Sequence, residues 1–121
     1  MKRIFWIIVW LALSTAAVAQ HGIMLGNGSG GGWTLSTTPG ITSQLVCRST
    51  STGTENCAVP LTTIANNTTA SYLDTTGVAG TKYFYVLEAC IGAICSVPSV
   101  EASAVFPTVP TAPTGLGAVP Q

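Results

Sequence analysis

The amino-acid sequence predicts an all-β protein, an antiparallel β-sandwich of about seven short strands. Apolar residues recur at a period of two, turn residues separate them at short intervals, and no stretch after residue 20 has the 3.6-residue period of an amphipathic helix. The clearest strand is Lys82–Ala89, in which Tyr83, Tyr85 and Leu87 share one face. We therefore predict that this strand is central and that its tyrosine face lies in the core.

The first 19 residues have the pattern of a secretory signal peptide. Lys2 and Arg3 precede an apolar run over residues 4–13, and small residues lead to Ala19. The run is shorter than the roughly 20 residues that cross a bilayer. We expect a secreted protein, extracellular or periplasmic, with no membrane attachment once the signal is removed.

The charge that remains after residue 19 argues against nucleic acid as a partner. Two basic residues, Arg48 and Lys82, stand against four acidic ones, a formal net charge of −2. A nucleic-acid-binding protein carries a basic patch that attracts phosphates. No such patch is present in this composition.

The domain is predicted to span residues 20–107, with a glycine-rich insert at 26–32 between two short strand pieces. Pro60 restricts its strand to the edge of a sheet, because proline donates no ladder hydrogen bond. Residues 108–121 have a proline every few positions and are predicted to be an extended tail or linker. In chain order the predicted strands are Ile23–Leu25, Trp33–Ser36, Ile41–Ser49, Ala58–Ile64, Ser71–Leu73, Lys82–Ala89 and Val100–Phe106.

The body of the chain resembles a fibronectin type III domain, an immunoglobulin-like sandwich found in secreted bacterial and phage proteins. The resemblance lies in VCRST from Val46, YLDTT from Tyr72, VAGTKYFYV from Val78 and SVPSVEASAV from Ser96. It implies that Tyr83 is a tyrosine corner, with its hydroxyl bound to backbone at the preceding turn. It also implies a core tryptophan, Trp33, in the second strand. The expected core is Trp33, Val46, Tyr83, Tyr85 and Leu87.

Three features depart from that family. The glycine-rich insert at 26–32 interrupts what would otherwise be one strand, HGIML joined to WTLS. Gln44 occupies a position that is usually an inward aromatic, so a buried amide there needs hydrogen-bond partners. No proline-led first strand precedes His21, whereas a segment resembling that strand stands at residues 110–119. One hypothesis is therefore that residues 113–119 pair with the open edge of a neighbouring copy and build a self-assembling structure.

Four cysteines in a small secreted domain predict two disulfides. We favour Cys90 with Cys95 and Cys47 with Cys57, since each pair encloses one loop between sequence neighbours. Pairing of Cys47 with Cys90 is the alternative. Neither spacing has the short knuckle of a zinc site.

The sequence does not indicate an enzyme, and we expect no metal and no cofactor. His21 is the only histidine, so the second histidine that a copper clamp needs is absent. A serine or cysteine nucleophile also lacks a plausible histidine base, since His21 stands at the start of the predicted mature chain. The acidic residues are spread over separate segments. Arg48, Lys82 and Glu88 are predicted to be solvated charges on strands or to form a weak cross-strand pair.

The functional prediction is a non-catalytic binding or spacer module. The loop Ile91, Gly92, Ala93 and Ile94 presents two apolar residues at the end of a rigid sandwich, where such modules bind partners. We expect a protein or polysaccharide at a cell surface as the partner, and other copies of the chain under the alternative.

Overall fold

The structure, a computed structural model, describes residues 21–27 and 31–121. The predicted signal peptide 1–19 and the middle of the glycine-rich insert lie outside these residues. The described part of the chain forms strands and no helix, and so contains no helix that could cross a membrane. The strands are β1 (Ile23–Leu25), β2 (Ser43–Ser49), β3 (Thr62–Ile64), β4 (Tyr72–Asp74), β5 (Lys82–Ile91), β6 (Ile94–Cys95) and β7 (Ala102–Val105).

Strand β5 is the centre of the larger sheet, as its sequence pattern predicts. It pairs antiparallel with β2 along one edge and with both β6 and β7 along the other. Tyr85 shows this directly, because it faces Arg48 of β2 and Ala102 of β7. Strand β3 pairs with the far side of β2 and so ends the sheet. It is shorter than the predicted strand Ala58–Ile64, and Pro60 lies before its first residue.

The second sheet contains only β1 and β4, paired antiparallel with Ile23 opposite Asp74. Both sheets contribute to one core, so the prediction of an all-β antiparallel sandwich is confirmed. Removing the apolar side chains of this core from water is the main favourable term in the free energy of folding. The buried core cluster is Ile23, Leu25, Val46, Tyr83, Tyr85 and Phe106.

Trp33 does not belong to a strand, although the sequence predicts one over Trp33–Ser36. The backbone N–H of Trp33 donates to the carbonyl of Ala70, two residues before β4, at 2.8 Å. It therefore continues the line of β1 on the other side of the insert, which is closed by a backbone bond from Asn27 to Gly31. The indole packs against the core while half-buried, and Leu87 does the same from β5.

The last strand is shorter than predicted, Ala102–Val105 instead of Val100–Phe106. Two serine hydroxyls account for the difference. The Oγ of Ser96 accepts from the N–H of Ala89, and the Oγ of Ser99 accepts from the N–H of Leu87. Because side chains replace backbone carbonyls as the partners of β5, residues 96–101 follow the sheet edge without forming a regular strand.

The sandwich has two distinguishable ends, which we call the Phe106 end and the tip end. Phe106 packs edge-to-face on Tyr83 at 6.3 Å and lies against Gly77, where any side chain would collide with its ring. From there β5 runs to Ile91, at the tip end. The chain leaves the domain at the Phe106 end.

Candidate functional site

The segment Cys90–Cys95, expected to be a loop, is a tight β-hairpin at the tip end. Ile91 pairs with Ile94 across a two-residue turn, Gly92 and Ala93. Gly92 has φ +58° and Ala93 has a negative φ, which matches a type II′ turn with glycine first. Ile94 is 79% exposed and Ile91 44% exposed. The two isoleucines thus point into solvent and do not fold back over the core.

Two sets of contacts hold residues 91–94, which we call the hairpin tip, in place. The Cys90–Cys95 disulfide joins its strands, and the hydroxyl of Thr42 accepts from the N–H of Gly92 at 2.9 Å. The Thr42 N–H in turn donates to the carbonyl of Cys90 at 2.8 Å. The apolar tip is therefore presented by a fixed backbone, which lowers the entropy lost when a partner binds.

An open apolar groove of about 620 Å³ lies beside the tip, between the line of β1 and the edge of the larger sheet. Val97 and Val100, on the rim, are 85% and 94% exposed. Among the described residues that line it, Glu88 is the only charged one. We define the groove by its apolar lining, which is Leu25, Trp33, Leu87, Val97, Val100 and Ala102.

Gln44 is buried and holds the indole of Trp33, which lines this groove, in place. Its side-chain oxygen accepts from the indole N–H of Trp33 at 2.8 Å, and its amide donates to the carbonyls of Asn66 and Thr69 at 3.0 and 2.8 Å. The buried amide that the sequence implied therefore has its partners. Gln44 thereby connects the loop between β3 and β4, and Trp33 just after the insert, to β2 of the larger sheet.

Replacing Gln44 with alanine is expected to lower the free energy of unfolding by about 2 kcal/mol, because buried polar groups lose their partners. Trp33 is the only tryptophan after residue 20, so its fluorescence reports the same change as a shift to longer wavelength. Asn56→Ala removes the hydrogen bond that the Ala58 N–H donates to the Asn56 side chain at an exposed turn, and it serves as the control. Equal effects of the two variants in urea denaturation would contradict this role for Gln44.

The strongest polar cluster lies away from the groove, around Asp74 at the Phe106 end. The Asp74 carboxylate is fully buried and accepts from Arg48 at 2.8 Å and from the hydroxyl of Tyr85 at 2.7 Å. The Thr76 N–H and hydroxyl bind its other oxygen. Burial alone would raise the pKa of Asp74, but these hydrogen bonds together hold the pKa below its usual value.

Arg48 was predicted to be a solvated charge, and that prediction is wrong. Its side chain is only 21% exposed, and its guanidinium lies 4.4 Å from the centre of the Tyr83 ring while it binds Asp74. The hydroxyl of Tyr83 accepts from the N–H of Val78 at 2.9 Å, the tyrosine-corner bond that the resemblance implies. Lys82 is exposed as predicted, above Phe84.

Asp74 and Arg48 are the structurally important polar residues that sequence reasoning missed. The available signal was the run Asp74-Thr75-Thr76 at the end of a strand, because a short acidic residue there commonly accepts hydrogen bonds from the next turn. The pairing with Arg48 has no local signal, since 26 residues separate the two. Every oxygen of Asp74 is engaged by the protein, which indicates a structural role.

The other residues considered for chemistry are not brought together. All four cysteines are joined as Cys47–Cys57 and Cys90–Cys95, the pairing favoured above, so no thiolate is available for zinc. The described residues contain no group of three metal-ligating side chains, and His21 is exposed ahead of β1. Glu101 accepts from Gly53 and Thr52 at an exposed loop, and these bonds lower its pKa.

Comparison with known proteins gives one structural likeness. No protein family and no curated protein matches the chain. Among solved structures, a Fn3-like protein from Clostridium thermocellum is similar, with 38% sequence identity and a TM-score of 0.42. The likeness covers 63% of this chain and 75% of that one.

Proposed function

We propose that this chain is a secreted, non-catalytic binding module of the fibronectin type III-like kind that contacts a protein or polysaccharide at a cell surface. The observation that carries the proposal is the hairpin tip, which presents Ile91 and Ile94 to solvent on a rigid, disulfide-closed support. Exposed apolar residues of this kind mark interaction sites more often than chance. The tyrosine-corner bond of Tyr83 and the two-sheet core support the assignment of the module type.

The composition of the surface fits a neutral partner. The domain carries few charges, and the tip and groove together present apolar side chains with serine hydroxyls between them. Two disulfides suit an oxidising compartment, which agrees with secretion to the extracellular space or periplasm. A spacer role is the simpler version of the same proposal, in which the module separates other domains and the tip binds nothing.

Replacing Ile91 and Ile94 with serine is expected to reduce binding at least tenfold while leaving the fold intact, since neither side chain is buried in the core. Binding is measured by co-sedimentation with insoluble cellulose, chitin and peptidoglycan, and by retention of labelled protein on intact cells. Val59→Ser is the matched control, an exposed apolar residue on a different loop.

Two outcomes count against the tip as the binding site. One is unchanged binding of the double variant at an unchanged free energy of unfolding. The other is an equal loss in Val59→Ser, which would indicate non-specific hydrophobic adsorption. If the intact protein binds none of these surfaces, the spacer version replaces the binding version.

A further inference from the structure

Strand β1 has an unpaired edge, and this edge borders the groove. β1 pairs with β4 on one side, and within the described residues no backbone hydrogen bond joins it to any other segment. A two-stranded sheet is marginal by itself, and a free edge is a template for another strand. Leu25 of β1 is also one wall of the groove. The missing element is therefore a single strand with an apolar inner face.

The tail has the properties that this position requires. Every residue from Thr108 to Gln121 is exposed, with Leu116 at 99%. The tail carries no charged side chain, so it can enter an almost uncharged groove without leaving a charge unpaired. In the structure Gly115 has φ +77°, a conformation that glycine leaves readily. Once residues 113–119 are extended, Thr114, Leu116 and Ala118 lie on one face and two glycines on the other. Pro113 and Pro120 flank this stretch, positions that an edge strand tolerates.

Within residues 21–27 and 31–121 of one copy, neither the outer edge of β1 nor the tail has a strand partner. The tail departs from the Phe106 end, where β1 begins, and in a single copy it extends into solvent without covering the groove. A tail returning directly to its own domain would run parallel to β1, the less stable pairing. The tail of a second copy, entering from the tip end, runs antiparallel. Residues 107–112 reach up to roughly 20 Å when extended, enough to join two copies.

We propose that residues Pro113–Val119 of one copy add as an antiparallel strand to β1 of a second copy, with Leu116 in the groove. The contact is head-to-tail, so each copy still offers its own tail and its own groove, and assembly continues as an open chain. This inference goes beyond the proposed function and does not rest on it, because it uses the groove and the tail and not the hairpin tip.

The test uses two full-length mature variants that each lack one half of the contact. Leu116→Asp cannot donate its tail, since an aspartate would be buried unpaired. Ala102→Arg blocks the groove from an exposed position on β7. Light scattering on a sizing column should show concentration-dependent growth for the unmutated protein and a monomer for each variant. An equimolar mixture should give a 1:1 dimer that does not grow further.

Controls separate this contact from other association. Val109→Asp changes an exposed tail residue outside 113–119 and should assemble as the unmutated protein does. Leu116→Asp should weaken association by about 10- to 100-fold, the value of burying one leucine. Val97→Arg, at the rim, provides a second blocked groove if Ala102→Arg unfolds. A monomeric unmutated protein at all concentrations, or a mixture of the two variants that stays monomeric, would overturn the proposal.

Discussion

Replacing Asp74 with alanine is expected to lower the free energy of unfolding by about 3 kcal/mol, which is among the largest effects of any single substitution in this chain. The change leaves the guanidinium of Arg48 confined against Tyr83 without a counter-ion and the hydroxyl of Tyr85 without its acceptor. A buried polar group that loses its hydrogen-bond partner destabilises the folded state by its full desolvation free energy. Urea denaturation of the mature protein, followed by far-ultraviolet circular dichroism, measures the loss.

The pH dependence of stability gives a second signature of Asp74. Its pKa in the folded state lies below the ordinary value of 3.8, so the unfolded chain binds the proton more tightly. The stabilisation is therefore present above about pH 4 and is lost as the pH falls through 3.8 toward the lower folded value. Asp74→Asn should reduce the dependence of the free energy of unfolding on pH in this acidic range.

Glu101→Ala provides the control, because Glu101 also accepts two hydrogen bonds but does so at an exposed loop. It should change stability much less than Asp74→Ala. If the two variants were equally stable, or if Asp74→Asn kept the full acid dependence, the buried network would not have the role assigned to it.

Removing the Cys47–Cys57 disulfide by replacing both cysteines with alanine is expected to cost about 3 kcal/mol. The ten-residue separation accounts for this in the chain-entropy view, since the unfolded chain gains freedom when the loop is opened. Cys47 is completely buried in the centre of β2, so lost packing adds to the effect. Thermal unfolding of the double variant should shift to lower temperature by several degrees.

The second disulfide makes a useful comparison because Cys90 and Cys95 are only five positions apart in the chain. Its removal should cost about 2 kcal/mol in the same view. It should also loosen the hairpin tip, so binding should weaken in that variant and not in the Cys47–Cys57 variant. A larger loss of stability from the shorter loop would contradict the loop-length argument.

Much of the scaffold could be predicted from the sequence because it depends on local patterns. The alternation in β5 defines a central strand, and the spacing of the cysteines favours bonds between sequence neighbours. Tyr83 lies five residues after Val78, so its backbone bond is also a local feature. In each case the residues that determine the structure are close in the chain.

The features that were missed depend on distant residues. Arg48 was predicted to be a solvated charge on its strand, and only the packing of the two sheets places Asp74 beside it. The lack of a regular strand over residues 96–101 depends on two serine hydroxyls, which accept hydrogen bonds from backbone N–H groups of β5. The groove cannot be deduced from any segment, because it is a gap between β1 and the larger sheet.

These features together describe a scaffold whose polar network stabilises one end while apolar residues are presented at the other. Asp74 and Arg48 lie on the Phe106 side, and Ile94 lies at the tip. The separation has a practical consequence: substitutions at the tip and substitutions in the network should affect binding and stability independently.

The most direct test of the binding role is photo-cross-linking from the tip. A benzophenone-bearing residue replaces Ile94 in the mature protein, and a matched sample carries it in place of Val59, another exposed apolar position. Both samples also carry Leu116→Asp, which prevents head-to-tail assembly at the tip end. Both are illuminated on intact cells, and the products are separated by mass. Our account predicts one defined adduct with a cell-surface protein or polysaccharide from position 94 and none from position 59. Equal adducts from both positions, or an adduct from position 94 only with another copy of the chain, would contradict it.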